Sequence, residues 1–192
     1  MDRAVPAFES SHALCGEHQL EVWRPVAGAL LGHASVSAGK VERGLDLLWE
    51  STALTERLGV QAYRALWITL LAEGLLTSGE ITRAVEVADR GVHLATQNRE
   101  SGNHTRALVV LATASAQLGP PGLEQAIEHV RQALEQAERL RMRPLVARCY
   151  HALGMLARRQ GDLLGGETFL TTARTLAQHL GMRAWWERGA GV

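Results

Sequence analysis

A glycine returns at intervals of about 40 residues, at Gly39, Gly79, Gly119 and Gly161, each time closing a helix-compatible stretch. Seven or eight residues ahead of each stands a leucine followed by a small residue: Leu31-Gly32, Leu71-Ala72, Leu111-Ala112 and Leu153-Gly154. A further small residue follows each glycine, five positions on at Gly44, Ala84 and Gly166 and seven on at Ala126. Self-similarity at a fixed period of this length marks a repeat protein, whose units bury their apolar faces only by stacking on one another. That organisation argues against an enzyme.

Between the glycines, apolar residues recur at three- and four-residue spacing, the pattern of an amphipathic helix. In the second unit Leu66, Leu70, Leu71 and Leu75 line one face before Gly79, and Ile81, Val85, Ala88, Val92 and Ala95 face inward after it. The fourth unit repeats the plan with Val146, Tyr150, Leu153 and Leu156, then Leu163, Leu170, Ala173 and Leu176. The glycine ends the first helix of each pair because the chain leaves it through a left-handed conformation, which a Cβ makes costly by about 1 kcal/mol or more. The pattern predicts an all-α fold of eight main helices in four antiparallel pairs, spanning units 20–59, 60–100, 101–142 and 143–182. Residues 1–19 fit no unit and read as a mobile or capping segment, and residues 183–192 read as the clipped start of another helix.

Twenty basic residues balance twenty acidic ones, so the charge carries no signature of a nucleic-acid or membrane-surface binder. The basic side chains are all arginine except Lys40, which reads as the mark of a GC-rich genome. Two cysteines, Cys15 and Cys149, are too few for a disulfide framework and fit a reducing compartment. The first residues lack the apolar run of a signal peptide, and the longest uncharged stretch is broken by Gly119-Pro120-Pro121-Gly122, so the expected location is the cytoplasm. Asn103-His104-Thr105 matches a glycosylation acceptor but reads more simply as a helix start capped by Ser101 or Asn103.

The order Leu-Gly, Gly-Asp and then a small residue five on, clearest in Leu153-Gly154, Gly161-Asp162 and Gly166, resembles the tetratricopeptide repeat (TPR). Units near 40 residues exceed that repeat's usual length of about 34. They are similar to those in the C-terminal TPR region of large bacterial proteins that join a nucleotide-cyclase domain and an ATPase domain. The residues carrying that second likeness are Gly119 to Ala126, Leu140 to Gly154, and Leu180-Gly181-Met182-Arg183. The resemblance implies a right-handed α-solenoid of about four TPR-like helix pairs, acting as a scaffold or sensor in bacterial signalling. One departure stands out: the aromatic usual four positions into the first helix is present only as Tyr150, with Gly28, Ile68 and Leu108 in the other units.

No local motif carries chemistry. Gly32 to Gly39-Lys40-Val41 superficially resembles a phosphate-binding loop, but six residues separate its glycines and a valine follows the lysine where the motif needs Ser or Thr. His12, Cys15 and His18 have metal-ligand types at helical spacing but lack a fourth partner, so no metal is assigned. No serine stands in a nucleophile elbow, and Cys149 in a packed helix reads as a small buried hydrophobe. Asp46 and Glu50 share a helix face that looks at solvent. No catalytic residue and no cofactor are expected.

What remains is a surface. In helix-pair solenoids the first helices line the concave face. Carrying the resembled repeat's groove positions onto this chain selects His33, Thr69, Glu73, Arg106, Arg148, His151, Met155, Arg158 and Arg159. The lysine slots by which chaperone-binding members clamp a carboxylate hold Ala29, Thr69, Val109 and His151, so that ligand class is not implied. The expected partner is a protein or peptide segment, with no nucleic acid and no membrane. Two rival readings are a self-assembling solenoid and a small enzyme or ligand-binding protein using the groove. The adjacent Trp185 and Trp186 cannot both turn inward, since neighbours on a helix diverge by about 100°. They form a candidate association surface at the C-terminal end, through which a homo-oligomer would build.

Overall fold

The computed structural model describes residues 4–182 and Trp185. Among these residues there are nine α-helices and no strand. They are α1 (Ala4–Glu17), α2 (Arg24–Ser37), α3 (Val41–Arg57), α4 (Arg64–Ser78), α5 (Ile81–Gln97), α6 (Ser101–Ser115), α7 (Pro120–Arg139), α8 (Arg143–Arg159) and α9 (Leu163–His179). The chain forms two compact units, Met1–Leu94 and Ala95–Val192. In the first, α2 packs on α1, α3 and α4, and α3 packs on α4. In the second, α6 packs on α7 and α8, α7 packs on α8, and α8 packs on α9.

Each first helix ends where the glycine period predicts. Gly39, Gly79, Gly119 and Gly161 hold φ of 82°, 85°, 107° and 88°, the left-handed region that only glycine enters at little cost. A second series of left-handed residues ends the other helices: Gln19 (φ 54°), Gly59 (65°), Arg99 (57°), Arg141 (56°) and Gly181 (66°). After each, the next N–H, from Leu20, Val60, Glu100, Met142 and Met182, donates to the carbonyl five residues back over 2.8–3.1 Å. This is the Schellman closure, and it satisfies carbonyls that the helix end would leave without partners. Arg99 and Arg141 therefore carry a Cβ where the equivalent Gly59 and Gly181 do not. Arg99→Gly and Arg141→Gly are each expected to stabilise the fold by up to about 1 kcal/mol, read as a rise in the urea midpoint.

The second series explains α1, the helix that the apolar periodicity alone does not predict. Gln19 stands 40 positions before Gly59 in the sequence, so α1 occupies the register of a second helix, like α3, α5, α7 and α9. Its Ala4, Phe8, Ser11 and Cys15 match the stripe Gly44, Leu48, Ser51 and Thr55 of α3. The N-terminal segment is thus a packed helix: Val5 and Phe8 meet Leu31 and Ala34 of α2, and Glu9 pairs with Arg43 of α3 at 2.9 Å.

The small residues of the repeat sit where helices cross. In α2 and α3, a Cβ built on Gly32 would lie 2.8 Å from the Gly44 carbonyl oxygen, and one on Gly44 would lie 2.7 Å from that of Gly32. Gly154 of α8 and Gly166 of α9 repeat the arrangement at 2.9 and 3.0 Å. Such backbone-to-backbone contact demands the absence of a side chain. The third turn differs because two extra residues enter it. They lengthen α7 at its N-terminus, where Gly122 lies directly against the Ser115 carbonyl, and leave Ala126, Val130, Ala133 and Ala137 buried in the common stripe.

Two local expectations are corrected. Ser101 and Asn103 do not cap α6: Glu100 precedes the helix, and the Asn103 side-chain amide donates to its carboxylate at 2.6 Å. Leu163 is 68 % exposed rather than inward, and Leu164 beside it is 83 % exposed. The equivalent Val41, Ile81 and Leu123 are all half-buried. A following first helix lies against α3 and α7, and none is described after α9.

Candidate interaction surface

Most residues of the first helices are buried. Among those that reach the surface, one pair in each helix recurs at seven-residue spacing: Val26 and His33 in α2, Leu66 and Glu73 in α4, Arg106 and Thr113 in α6, Arg148 and Met155 in α8. These positions are register equivalents, so each helix presents the same two sites with different chemistry. In the first compact unit, His33 Nδ1 lies 3.7 Å from a Glu73 carboxylate oxygen, which joins the exposed faces of α2 and α4. In the second, half-buried Arg106 and Arg148 stand at equivalent places on the packed helices α6 and α8. His151 sits close by on α8, with the Trp185 ring edge-on at 5.5 Å between centroids. Met155 is half-buried one turn further on, and Trp186 lies outside the described residues.

Three of the sequence-selected residues do not join these faces. Thr69 is fully buried, and its hydroxyl donates to the Ala65 carbonyl at 2.8 Å. Arg158 turns toward α9 and pairs with Glu167 at 2.7 Å. Arg159 donates to the Ala116 carbonyl at 3.0 Å, satisfying an acceptor at the short 3-10 turn that follows α6. Positions taken from a repeat register specify where the backbone stands but not which carbonyl or carboxylate lies within reach of a long side chain. Residues that the register did not select also tie helices together. Gln136 of α7 accepts from His104 at 3.0 Å and contacts the Thr105 hydroxyl of α6. The Arg64 hydrogen bond, with the Arg90 charge beside it, holds the Glu56 carboxyl below its ordinary range despite partial burial.

Cys149 is fully buried, and desolvation pushes its thiol up to about 12, against the opposing charge of Arg148. The native protein is therefore expected to resist thiol reagents near neutral pH, with the rate of Cys149 modification rising only as urea unfolds the chain. A Cys15→Ala background isolates that signal. His12 lies against Gly28 of α2, Cys15 is buried and His18 is exposed in the turn after α1. Among the described residues no group of three or more His, Cys, Asp and Glu side chains is placed to hold a metal. Asp46 and Glu50 are exposed as expected, with Glu50 paired to Arg24 at 2.8 Å. No described helix is long and apolar enough to cross a membrane.

The fold so described is a TPR-like helical repeat. The chain is similar to the TPR-like repeats of a kinesin light chain from Podosopora anserina, with 20 % identity over 94 % of this chain and 88 % of that one, at a TM-score of 0.66. It also matches a signal-transduction ATPase with a tetratricopeptide repeat sensor from Pyrococcus horikoshii, at 15 % identity and a TM-score of 0.68, covering 96 % of this chain but 28 % of that protein. Aspartyl phosphate phosphatase F from Bacillus subtilis aligns with 84 % of this chain and 42 % of its own length, at 12 % identity and a TM-score of 0.67. At these identities the likeness is one of fold. No protein-family model and no curated protein sequence matches the chain.

Proposed function

We propose that this chain is a non-catalytic interaction module that binds a peptide or protein segment along the exposed face of its first helices. The observation that carries the reading is the recurrence of Arg106 and Arg148 at equivalent surface positions of neighbouring helices, on a scaffold whose other first-helix residues are mostly buried. Guanidinium groups at a repeat spacing suit a segment bearing carboxylate or phosphate groups, which they engage bidentately. The residues likened to the cyclase–ATPase signalling proteins, together with the sensor-bearing ATPase among the structural neighbours, support a regulatory role in bacterial signalling, in the cytoplasm. A peptide library displayed on phage, followed by anisotropy measurements on the selected peptides, tests the proposal. Acidic peptides should emerge, bind less tightly as salt rises, and weaken about tenfold against Arg106→Ala or Arg148→Ala. Failure to select any peptide, or equal binding by both variants, would overturn it.

A second reading rests on Leu163 and Leu164, exposed at the start of α9, and on the tryptophan pair beyond it. An apolar patch of this kind favours self-association through the C-terminal end. Sedimentation that stays monomeric at high concentration, with no change on Leu164→Glu, removes that reading.

A further inference from the structure

In the second compact unit, α8 presents Arg148, His151 and Met155 at three- and four-residue steps, which places them in one row on a single face of the helix. The row is graded in chemistry. It opens on a guanidinium, passes an imidazole that Trp185 meets edge-on at 5.5 Å between centroids, and closes on the half-buried Met155. Its middle position reaches the surface in α8 but not in the other first helices, where Ala29, Thr69 and Val109 are buried. On the neighbouring α6, Arg106 opens the row and the exposed Thr113 closes it. The first unit is graded the other way at the same register. Helix α4 carries Leu66 where α8 carries Arg148, and Glu73 where α8 carries Met155. Helix α2 opens on Val26 and closes on His33, whose Nδ1 lies 3.7 Å from the Glu73 carboxylate. Arginine thus opens the row in α6 and α8, whereas ionisable side chains close it in α2 and α4.

Resting on the proposed binding along these helices, we infer that the α8 row selects an extended segment in which an anionic side chain and a large apolar one stand three residues apart. The spacing follows from two rises. Arg148 and Met155 are seven residues apart, and at about 1.5 Å per residue their backbone positions differ by about 10.5 Å along the helix. An extended chain advances about 3.3 Å per residue, so three of its residues cover nearly the same distance. A segment seated with its anion on Arg148 therefore brings its third residue along to Met155, whose flexible, polarisable side chain adapts to apolar groups of different shape. The residues in between cross the aromatic surface of His151 and Trp185. The rows of the first unit do not suit the same segment, because their apolar residue stands where the anion would lie and Glu73 repels an anion at the other end.

Two series of fluorescein-labelled fifteen-residue peptides, read by anisotropy, test the inference. One series carries a glutamate and the other a phosphoserine at the centre of a Gly-Ser background, and a single leucine is moved through the remaining positions. In at least one series, leucine three residues from the anion on one side of it should bind about tenfold more tightly than serine at that place. An advantage in one series alone supports the inference and names the anion as carboxylate or phosphate. Met155→Thr, which installs the residue that closes the row in α6, should shrink the leucine advantage to about twofold or less. Met155→Gln, close to methionine in shape, serves should the first variant lose helical circular dichroism. The advantage is a ratio of two affinities measured on one protein, so a general loss of folded protein weakens both peptides and leaves it unchanged. An advantage that peaks at another spacing, including the seven residues that a helical segment would need, would overturn the inference while the proposed function stands. So would an advantage that the Met155 variants leave intact. Absence of binding by every peptide in both series would overturn the proposed function and this inference with it.

Discussion

Leu111→Ala should destabilise the protein by about 2–5 kcal/mol, measured as a loss of unfolding free energy in urea at an unchanged slope. Leu111 is 6 % exposed in α6 and belongs to the leucine–small dipeptide that repeats through the chain. Truncation removes the transfer energy of the buried methyl groups and leaves a void. Helix α6 packs on α7, and both are tightly filled, with Val110 and Val130 fully buried, so the surroundings can close that void only in part. Leu164→Ala provides the contrast, since a leucine 83 % exposed gives up little on truncation. Equal melting temperatures for Leu111→Ala and the parent would contradict the repeat core.

Gly44→Ala is the second large effect, an overpacking loss of about 1–3 kcal/mol although alanine is the better helix former. The added methyl would sit 2.5 Å from Val36 Cγ2, 2.7 Å from the Gly32 oxygen and 2.8 Å from the Val36 nitrogen. A side chain could rotate away, but two of these three atoms are backbone, so α2 and α3 must separate. Gly166→Ala should cost less, because its nearest contact is the Cγ of Arg158 at 2.7 Å, part of a flexible side chain, and the Gly154 oxygen is 3.0 Å away. Thermal melts of the two variants give the ranking directly. A Gly44→Ala protein as stable as its parent would mean that the helices do not cross at these glycines.

The first-helix turns were legible because a left-handed φ selects glycine, and a glycine every 40 residues is visible in a bare sequence. The turns that close the units at 59, 100, 142 and 182 are marked less uniformly. Gln19, Arg99 and Arg141 adopt the same conformation with side chains attached, and their shared geometry leaves no shared residue type. Helix α1 went unread for the same reason, since its end is closed by Gln19 and its stripe includes the exposed Ser11. The register selected His33 and Glu73, which the structure brings into contact, and Arg106 and Arg148, which it places at equivalent sites. It also selected Thr69, Arg158 and Arg159, whose polar atoms are committed to Ala65, Glu167 and Ala116. Those commitments depend on rotamers and on neighbouring helices, which spacing alone does not encode.

The extra two residues at the start of α7 bear on how such a chain can change. They add about half a turn at an end of the helix, and Ala126 to Ala137 keep their places in the stripe. Arg106 and Arg148 consequently stay matched in position although their separation in sequence is longer than one ordinary period. Length variation is absorbed at the rim, so the chain behaves like a ruler whose graduations hold while its margins are recut. Under the proposed function, preference for a segment would then be rewritten one helix at a time, by exchanging the side chains at two graduations while the remaining helices keep their settings.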